Sequence, residues 1–298
     1  MANLPALRFV EVGPRDGLQN EHKTIPLNAK VAFINALSEA GLKEIEAGAF
    51  VSPQAVAQMA DSEQVFKKIQ RKRGVIYSAL VPNEQGLERA LAVKADKIAV
   101  FTAASETFNQ RNIRASIAES LDRFAPVILK AKQAGLAVRA YVSAAFYCPF
   151  EGKIAPEKVI DVVEKLIDLG AEEFSIGDTI GRAAPVDVRA LLEILLERIN
   201  ADKVAMHFHD TYGMAVANAL SAWEDYKVSG FDSSAGGLGG CPYAPGAGGN
   251  VATEDLAFAF SASGGKVGVD IGKIKAAAAL LQPHLGHPTP SRLGRIKV

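Results

Sequence analysis

Cysteine and histidine are both scarce in this chain, two and five among 298 residues. Two cysteines, Cys148 and Cys241, cannot build a disulfide framework, so the fold must rest on its apolar core and a reducing cytoplasm is the expected setting. No sign of charge dominates, since 33 basic residues face 33 acidic ones. No basic block interleaved with aromatics occurs, which argues against a nucleic-acid partner. The short run Arg71-Lys72-Arg73 reads as a solvated helix end. No stretch of about 18 uninterrupted apolar residues exists, so no membrane span or membrane partner is expected. Met1-Ala2-Asn3-Leu4-Pro5 has no charged leader followed by an apolar segment, and strand-like sequence begins by about Leu7, so no signal or transit peptide is expected. A Gly-x-Gly-x-x-Gly fingerprint is missing after the first strand candidate, and nothing favours a dinucleotide fold.

What is present is a regular alternation of short β-rich runs and helical stretches. The strand candidates are Arg8–Val12, Glu44–Phe50, Val75–Val81, Lys97–Phe101, Ala137–Ser143, Glu173–Gly177, Val204–Phe208 and Gly230–Ala235. Helical periodicity is plain in Val159, Val162, Val163, Leu166 and Ile167 after Pro156, and in Val188, Leu191, Leu192, Leu195 and Ile199 after Pro185. Proline suits the first turn of a helix, where its missing N–H costs nothing. Gly41, Gly135, Gly170 and Gly230 each follow a helical run and read as glycines closing helices, at spacings near multiples of about 30 residues, the length of a βαβ unit. Eight such units predict an α/β fold of the (β/α)8 TIM-barrel type, with extra C-terminal helices after about Val251. A doubly wound open sheet is the competitor. No linker is visible, so residues 1–298 read as one barrel domain with a C-terminal helical extension.

Active sites of such barrels lie at the C-terminal ends of the strands. Those ends carry polar residues here. Strand one runs into Arg15 and Asp16, strand two contains Glu46, strand five carries Arg139, and strand six ends at Asp178. Strand seven ends in His207-Phe208-His209-Asp210. Residues two apart on a strand share a face, so two imidazoles aim at one point, as a metal ion requires. Asp16 is the best third ligand. A mixed nitrogen and oxygen donor set suits an octahedral divalent ion, Mg2+ or Mn2+, better than tetrahedral zinc. For Glu46, Arg139 and Asp178 an internal ion-pair network is an equally good reading. The second unusual stretch is Gly236 to Asn250, in which seven of fifteen residues are glycine. So much glycine makes a lid or permits close backbone approach to a ligand. Cys241 within it is a candidate acid, base or nucleophile, whereas Cys148 reads as structural. Spacing alone does not single out Asn250.

Taken together, these segments resemble the 3-hydroxy-3-methylglutaryl-CoA lyase family. The resemblance is carried by Val12-Gly-Pro-Arg-Asp-Gly-Leu-Gln-Asn-Glu21, Phe50-Val-Ser-Pro53, Ala104-Ser-Glu106, Cys148-Pro-Phe-Glu-Gly152, Gly177-Asp-Thr-Ile-Gly181, His207-Phe-His-Asp-Thr-Tyr-Gly213 and the glycine-rich loop through Cys241. It implies Asp16, His207, His209 and Asn250 as ligands of a divalent metal, Mg2+ or Mn2+. It implies Arg15 on the substrate's thioester carbonyl and Cys241 and Asp16 in the chemistry. Arg15, Glu46, Arg139 and Asp178 are the implied substrate-side residues. The reaction implied is a retro-Claisen cleavage of the acyl-CoA to acetoacetate and acetyl-CoA, and a homodimer or other homo-oligomer is expected. One departure is that Ala47-Gly48-Ala49 are small where many relatives carry hydroxyls, which could enlarge the acyl pocket. Rival readings are a lyase for longer branched 3-hydroxyacyl-CoA, a condensing synthase of the same superfamily, a metal-dependent amidohydrolase and a non-catalytic binding module. Synthases generally carry additional C-terminal regions and lack the cysteine loop, while amidohydrolases place their paired histidines on the first strand.

Overall fold

A computed structural model describes residues 4–240 and 249–296. Eight parallel strands close into a barrel: β1 (Arg8–Glu11), β2 (Glu44–Ala49), β3 (Ile76–Leu80), β4 (Lys97–Ala103), β5 (Ala137–Ser143), β6 (Glu173–Asp178), β7 (Val204–Phe208) and β8 (Gly230–Ser233). Each strand pairs with its sequence neighbours and β8 pairs back to β1. The open doubly wound sheet is thereby excluded. Helices α1 (Leu27–Glu39), α2 (Ser62–Lys68), α3 (Glu84–Ala92), α4 (Glu106–Ile113), α5 (Ile117–Gln133), α6 (Pro156–Leu169), α7 (Pro185–Leu195), α8 (Ala215–Tyr226), α9 (Thr253–Ala262) and α10 (Ile271–Ala279) surround it. Proline opens α6 and α7 as the sequence predicts. Helix α9 is the one that follows β8, and α10 packs between α9 and α1. A small antiparallel hairpin, Tyr147–Cys148 with Gly152–Lys153, fills the β5–α6 connection and was not foreseen.

Strand alternation divides the protein into two interiors. Outward residues such as Val138, Ala140 and Val142 on β5, and Val204, Met206 and Phe208 on β7, are buried against the helices in one apolar cluster. The inward residues are largely polar. At the N-terminal end of the barrel, the even-numbered strands β2, β4 and β6 open with Glu44, Lys97 and Glu173. Lys97 bridges the two carboxylates, at 2.9 Å from Glu44, and Arg8 reaches Glu173 at 2.8 Å. The fourth even strand opens with Gly230. A Cβ there would lie 2.7 Å from the Arg8 guanidinium and 2.8 Å from the Val204 carbonyl. Gly230 is therefore not a helix-closing glycine. Lys227, at φ 60°, caps α8 instead, while Gly41, Gly135 and Gly170 do have the positive φ expected of helix-closing residues.

Gly230→Ala is accordingly expected to destabilise the fold by about 1–3 kcal/mol, the usual cost of overpacking. Differential scanning calorimetry should show a Tm several degrees lower with unchanged far-UV circular dichroism. An unaltered Tm would show that Arg8 yields without cost.

Candidate active site

The C-terminal end of the barrel gathers residues from four connections. After β1 the chain makes a short π-helical turn, Gly13–Gly17, closed by the Gly17 N–H on the Val12 carbonyl, and this turn points Arg15 and Asp16 inward. On β7, His207 faces the axis while Met206 and Phe208 face the helices. His209 keeps to the same side as His207 because it forms a bridge with Asn250, fixed by the Val251 N–H on the Phe208 carbonyl and the Asp210 N–H on the Gly249 carbonyl. That bridge brings Asn250 to the site. It also requires glycine at 249, where a Cβ would lie 2.3 Å from the Gly237 carbonyl oxygen.

One donor atom each from Asp16, His207 and His209 lies within 4.8 Å of the other two, and all three residues are buried. His207 Nε2 is 3.9 Å and His209 Nε2 4.0 Å from Asp16 Oδ2. Asn250 donates its amide N–H to that same oxygen at 2.9 Å. One buried atom beside this cluster, Asn250 Oδ1, has no hydrogen-bond partner among the described residues. Buried lone pairs left without donors are costly, and a cation satisfies them. The donor set therefore fits a hard divalent ion. Its electrostatics agree. Burial, followed by the neighbouring His207, pushes His209 down to about 4, so the imidazole is neutral near pH 7 with its lone pair free. Burial alone would raise Asp16, but the Arg15 guanidinium, foremost among the opposing groups, holds the carboxyl below its usual value.

Arg15 is clamped beside this cluster. Its Nε donates to Glu46 and its Nη1 to Asp16, both at 2.5 Å, and its guanidinium lies 5.1 Å from the centre of the Tyr141 ring. Tyr141 in turn donates its hydroxyl to Glu46 at 3.2 Å. Arg139 sits lower in the barrel, fully buried against Asp232 and 3.6 Å from Glu173. The Asp178 carboxylate takes the backbone N–H groups of Arg182 and Ala183 at the start of the β6–α7 connection, and burial pushes its pKa up to about 6. Asp210 accepts from the Ala215 N–H at the first residue of α8 and pairs with Arg292 from the C-terminal segment. Cys241 lies outside the described residues. The stem before it is held by Asn20, whose amide donates to the Gly240 carbonyl at 2.9 Å.

One expectation changes. The small residues Ala47-Gly48-Ala49 do not all widen a pocket. The open side of Gly48 faces α2, where a Cβ would lie 2.7 Å from the Ser62 hydroxyl oxygen. Sequence reading also missed Tyr141, Ser175 and Asp232. The available signal was their alternation with apolar residues inside recognised strands.

A closed parallel barrel with a carboxylate, two imidazoles and an amide converging at the C-terminal ends of its strands defines a (β/α)8-barrel protein with a side-chain cluster fit for a metal. The chain belongs to the HMGL-like family, which matches it over residues 6–281. It is 47% identical to hydroxymethylglutaryl-CoA lyase of Pseudomonas mevalonii over 98% of this chain and 96% of that protein. It is 47% identical to the mitochondrial hydroxymethylglutaryl-CoA lyase of Bos taurus over 97% of this chain and 89% of that one. The crystal structure of hydroxymethylglutaryl-CoA lyase from Pseudomonas aeruginosa superimposes with a TM-score of 0.95 at 45% identity, covering 98% of both chains.

Proposed function

We propose that this protein cleaves 3-hydroxy-3-methylglutaryl-CoA to acetoacetate and acetyl-CoA. The observation that carries the reading is the Asp16, His207 and His209 cluster with the Arg15 guanidinium locked beside it. Its membership of the HMGL-like family, and relatives that are themselves named hydroxymethylglutaryl-CoA lyase, support the same substrate. A divalent ion, Mg2+ or Mn2+, would be held by Asp16, His207, His209 and Asn250 and would supply positive charge that makes the substrate's C3 hydroxyl more acidic. When the hydroxyl proton passes to solvent water, the C2–C3 bond breaks, its electron pair passes to the thioester as an enolate, and C3 becomes the ketone of acetoacetate. Arg15 is permanently cationic and faces the developing oxyanion. Its fixed position spares the reorganisation that a free side chain would need. Asp16, held ionised below its normal range, is a weak base, so its part in this scheme is to hold the ion and orient Arg15. Glu46 orients Arg15 from the other side, and Asp178 shapes the β6–α7 connection beside the substrate. Cys241 delivers the proton that converts the enolate carbon into the methyl group of acetyl-CoA.

The longer-chain alternative is not favoured, because the relatives that this chain matches over nearly its whole length are named hydroxymethylglutaryl-CoA lyase. A panel of 3-hydroxyacyl-CoA thioesters, read by acetyl-CoA release, tests the proposal. The 3-hydroxy-3-methylglutaryl thioester should be turned over best, and preferential cleavage of long-chain members would overturn the named substrate. Cys241→Ser should lose about 100-fold or more of kcat, the scale of a lost general acid, while binding Mn2+ as tightly as the unsubstituted protein. Unchanged turnover would make the loop cysteine a bystander. The homo-oligomer expected from the sequence is part of the same reading, and static light scattering checks it.

A further inference from the structure

The two histidines of the cluster are held differently. Among the described residues, His209 Nδ1 has no hydrogen-bond partner. His207 Nδ1 lies 3.1 Å from Asp232 Oδ2, deep in the barrel on β8. We propose that Asp232 is a positioning residue that fixes the tautomer of His207, holding the proton on Nδ1 so that the Nε2 lone pair faces Asp16 and the ion. The inference rests on the reading of Asp16, His207 and His209 as a metal centre.

Every neighbour of Asp232 supports that assignment. Its Oδ1 accepts from the Arg139 guanidinium, which has no acceptor atom, and its Oδ2 accepts from the Ser175 hydroxyl at 2.7 Å. A carboxylate facing a guanidinium is an acceptor only, so the imidazole nitrogen that meets it must be the donor. Asp232 is buried among these donors, and Arg139 also pairs at 3.6 Å with Glu173, which belongs to the ionic layer at the base of the barrel. The imidazole ring is also packed edge-on against Tyr141, with centroids 6.1 Å apart. A rigid line of charge thus runs from the base of the barrel to one nitrogen of one ligand. Partners of this kind orient metal-binding imidazoles and raise affinity.

The isosteric change Asp232→Asn makes the idea testable. Arg139 will hold the single amide oxygen, which turns the amide N–H2 toward His207. The imidazole then has to accept at Nδ1 and carry its proton on Nε2, the wrong atom for the ion. Long-range 1H–15N correlation spectra of metal-free protein at pH about 8, where imidazoles are neutral, read the tautomer directly. In the unsubstituted protein His207 should show a protonated Nδ1, and a protonated Nε2 would overturn the proposal whether or not any variant folds. In Asp232→Asn the proton should move to Nε2, and the Mn2+ dissociation constant, measured by electron paramagnetic resonance titration, should rise about 10- to 100-fold. An unchanged constant would also overturn it. Ser175→Ala removes a donor from the same oxygen without reversing any polarity and should leave the tautomer as it is, whereas a tautomer switch there would assign the control to Ser175. Failure of the unsubstituted protein to bind Mn2+ at all, with His207 still protonated on Nδ1, would refute the metal centre and leave the Asp232 contact standing.

Discussion

His207→Ala is expected to abolish cleavage of 3-hydroxy-3-methylglutaryl-CoA, with kcat reduced by about 1,000-fold or more, a loss of several kcal/mol of charge stabilisation converted at 1.36 kcal/mol per tenfold. Prolonged dialysis of the unsubstituted protein against a chelator should have the same effect, reversed by Mg2+ or Mn2+. The argument is geometric. The cluster draws on the β1 turn for Asp16, the β7 end for both imidazoles and the end of the glycine-rich stretch for Asn250. Among the described residues, Asp16, His207 and His209 are the one group of histidine, cysteine or carboxylate side chains placed to hold an ion together. Asp16→Ala should be as damaging to turnover and should cost stability too, because it strips a carboxylate from the buried Arg15. Elemental analysis alongside the kinetics separates the outcomes. Native turnover in protein verified to be free of metal would remove the ion from the mechanism altogether.

How much of this could be read from the chain depended on the range of the signal. The barrel was legible because strands and helices differ in period, and Pro156 and Pro185 mark helix starts within a residue of where they fall. His207 and His209 were legible because a spacing of two on a strand is itself a geometric statement. Asn250 was not, since its place beside His209 depends on a bridge across the glycine-rich loop and on close backbone packing at Gly249. Asp232 was hidden for a related reason. Its partners Arg139, Ser175 and His207 sit on three other strands, and only barrel closure makes them neighbours. Gly230 misled because a glycine after a helix and a glycine beneath an arginine look alike in sequence. The ionic layer at the barrel base escaped notice because Glu44, Lys97 and Glu173 open their strands, whereas attention in such folds goes to where strands end.

Arg15→Met should lower kcat/KM for 3-hydroxy-3-methylglutaryl-CoA by about 100- to 1,000-fold, the scale set by removing one donor from an oxyanion site. Arg15 is an unusual residue to find so enclosed, 5% exposed and bonded on two sides by carboxylates. Both pairings use different edges of one planar fork, Nε toward Glu46 and Nη1 toward Asp16. Burial opposes its charge, but Glu46 and Asp16 more than offset that and keep it cationic. Lysine retains the charge on a single atom and cannot span both carboxylates at once. Arg15→Lys is therefore expected to recover only part of the loss, while Mn2+ binding stays near that of the unsubstituted protein. Arg15→Met should also be less stable, by roughly 3–5 kcal/mol, because the buried Glu46 then loses its only cationic hydrogen-bond donor among the described residues. Glu46→Gln separates the two effects. It keeps the guanidinium and loosens one side of its clamp, so its kcat/KM should fall between those of Arg15→Lys and the unsubstituted protein. If Arg15→Met is unstable yet turns over at the unsubstituted rate below its melting temperature, Arg15 is a strut for two carboxylates and the oxyanion must be stabilised from elsewhere.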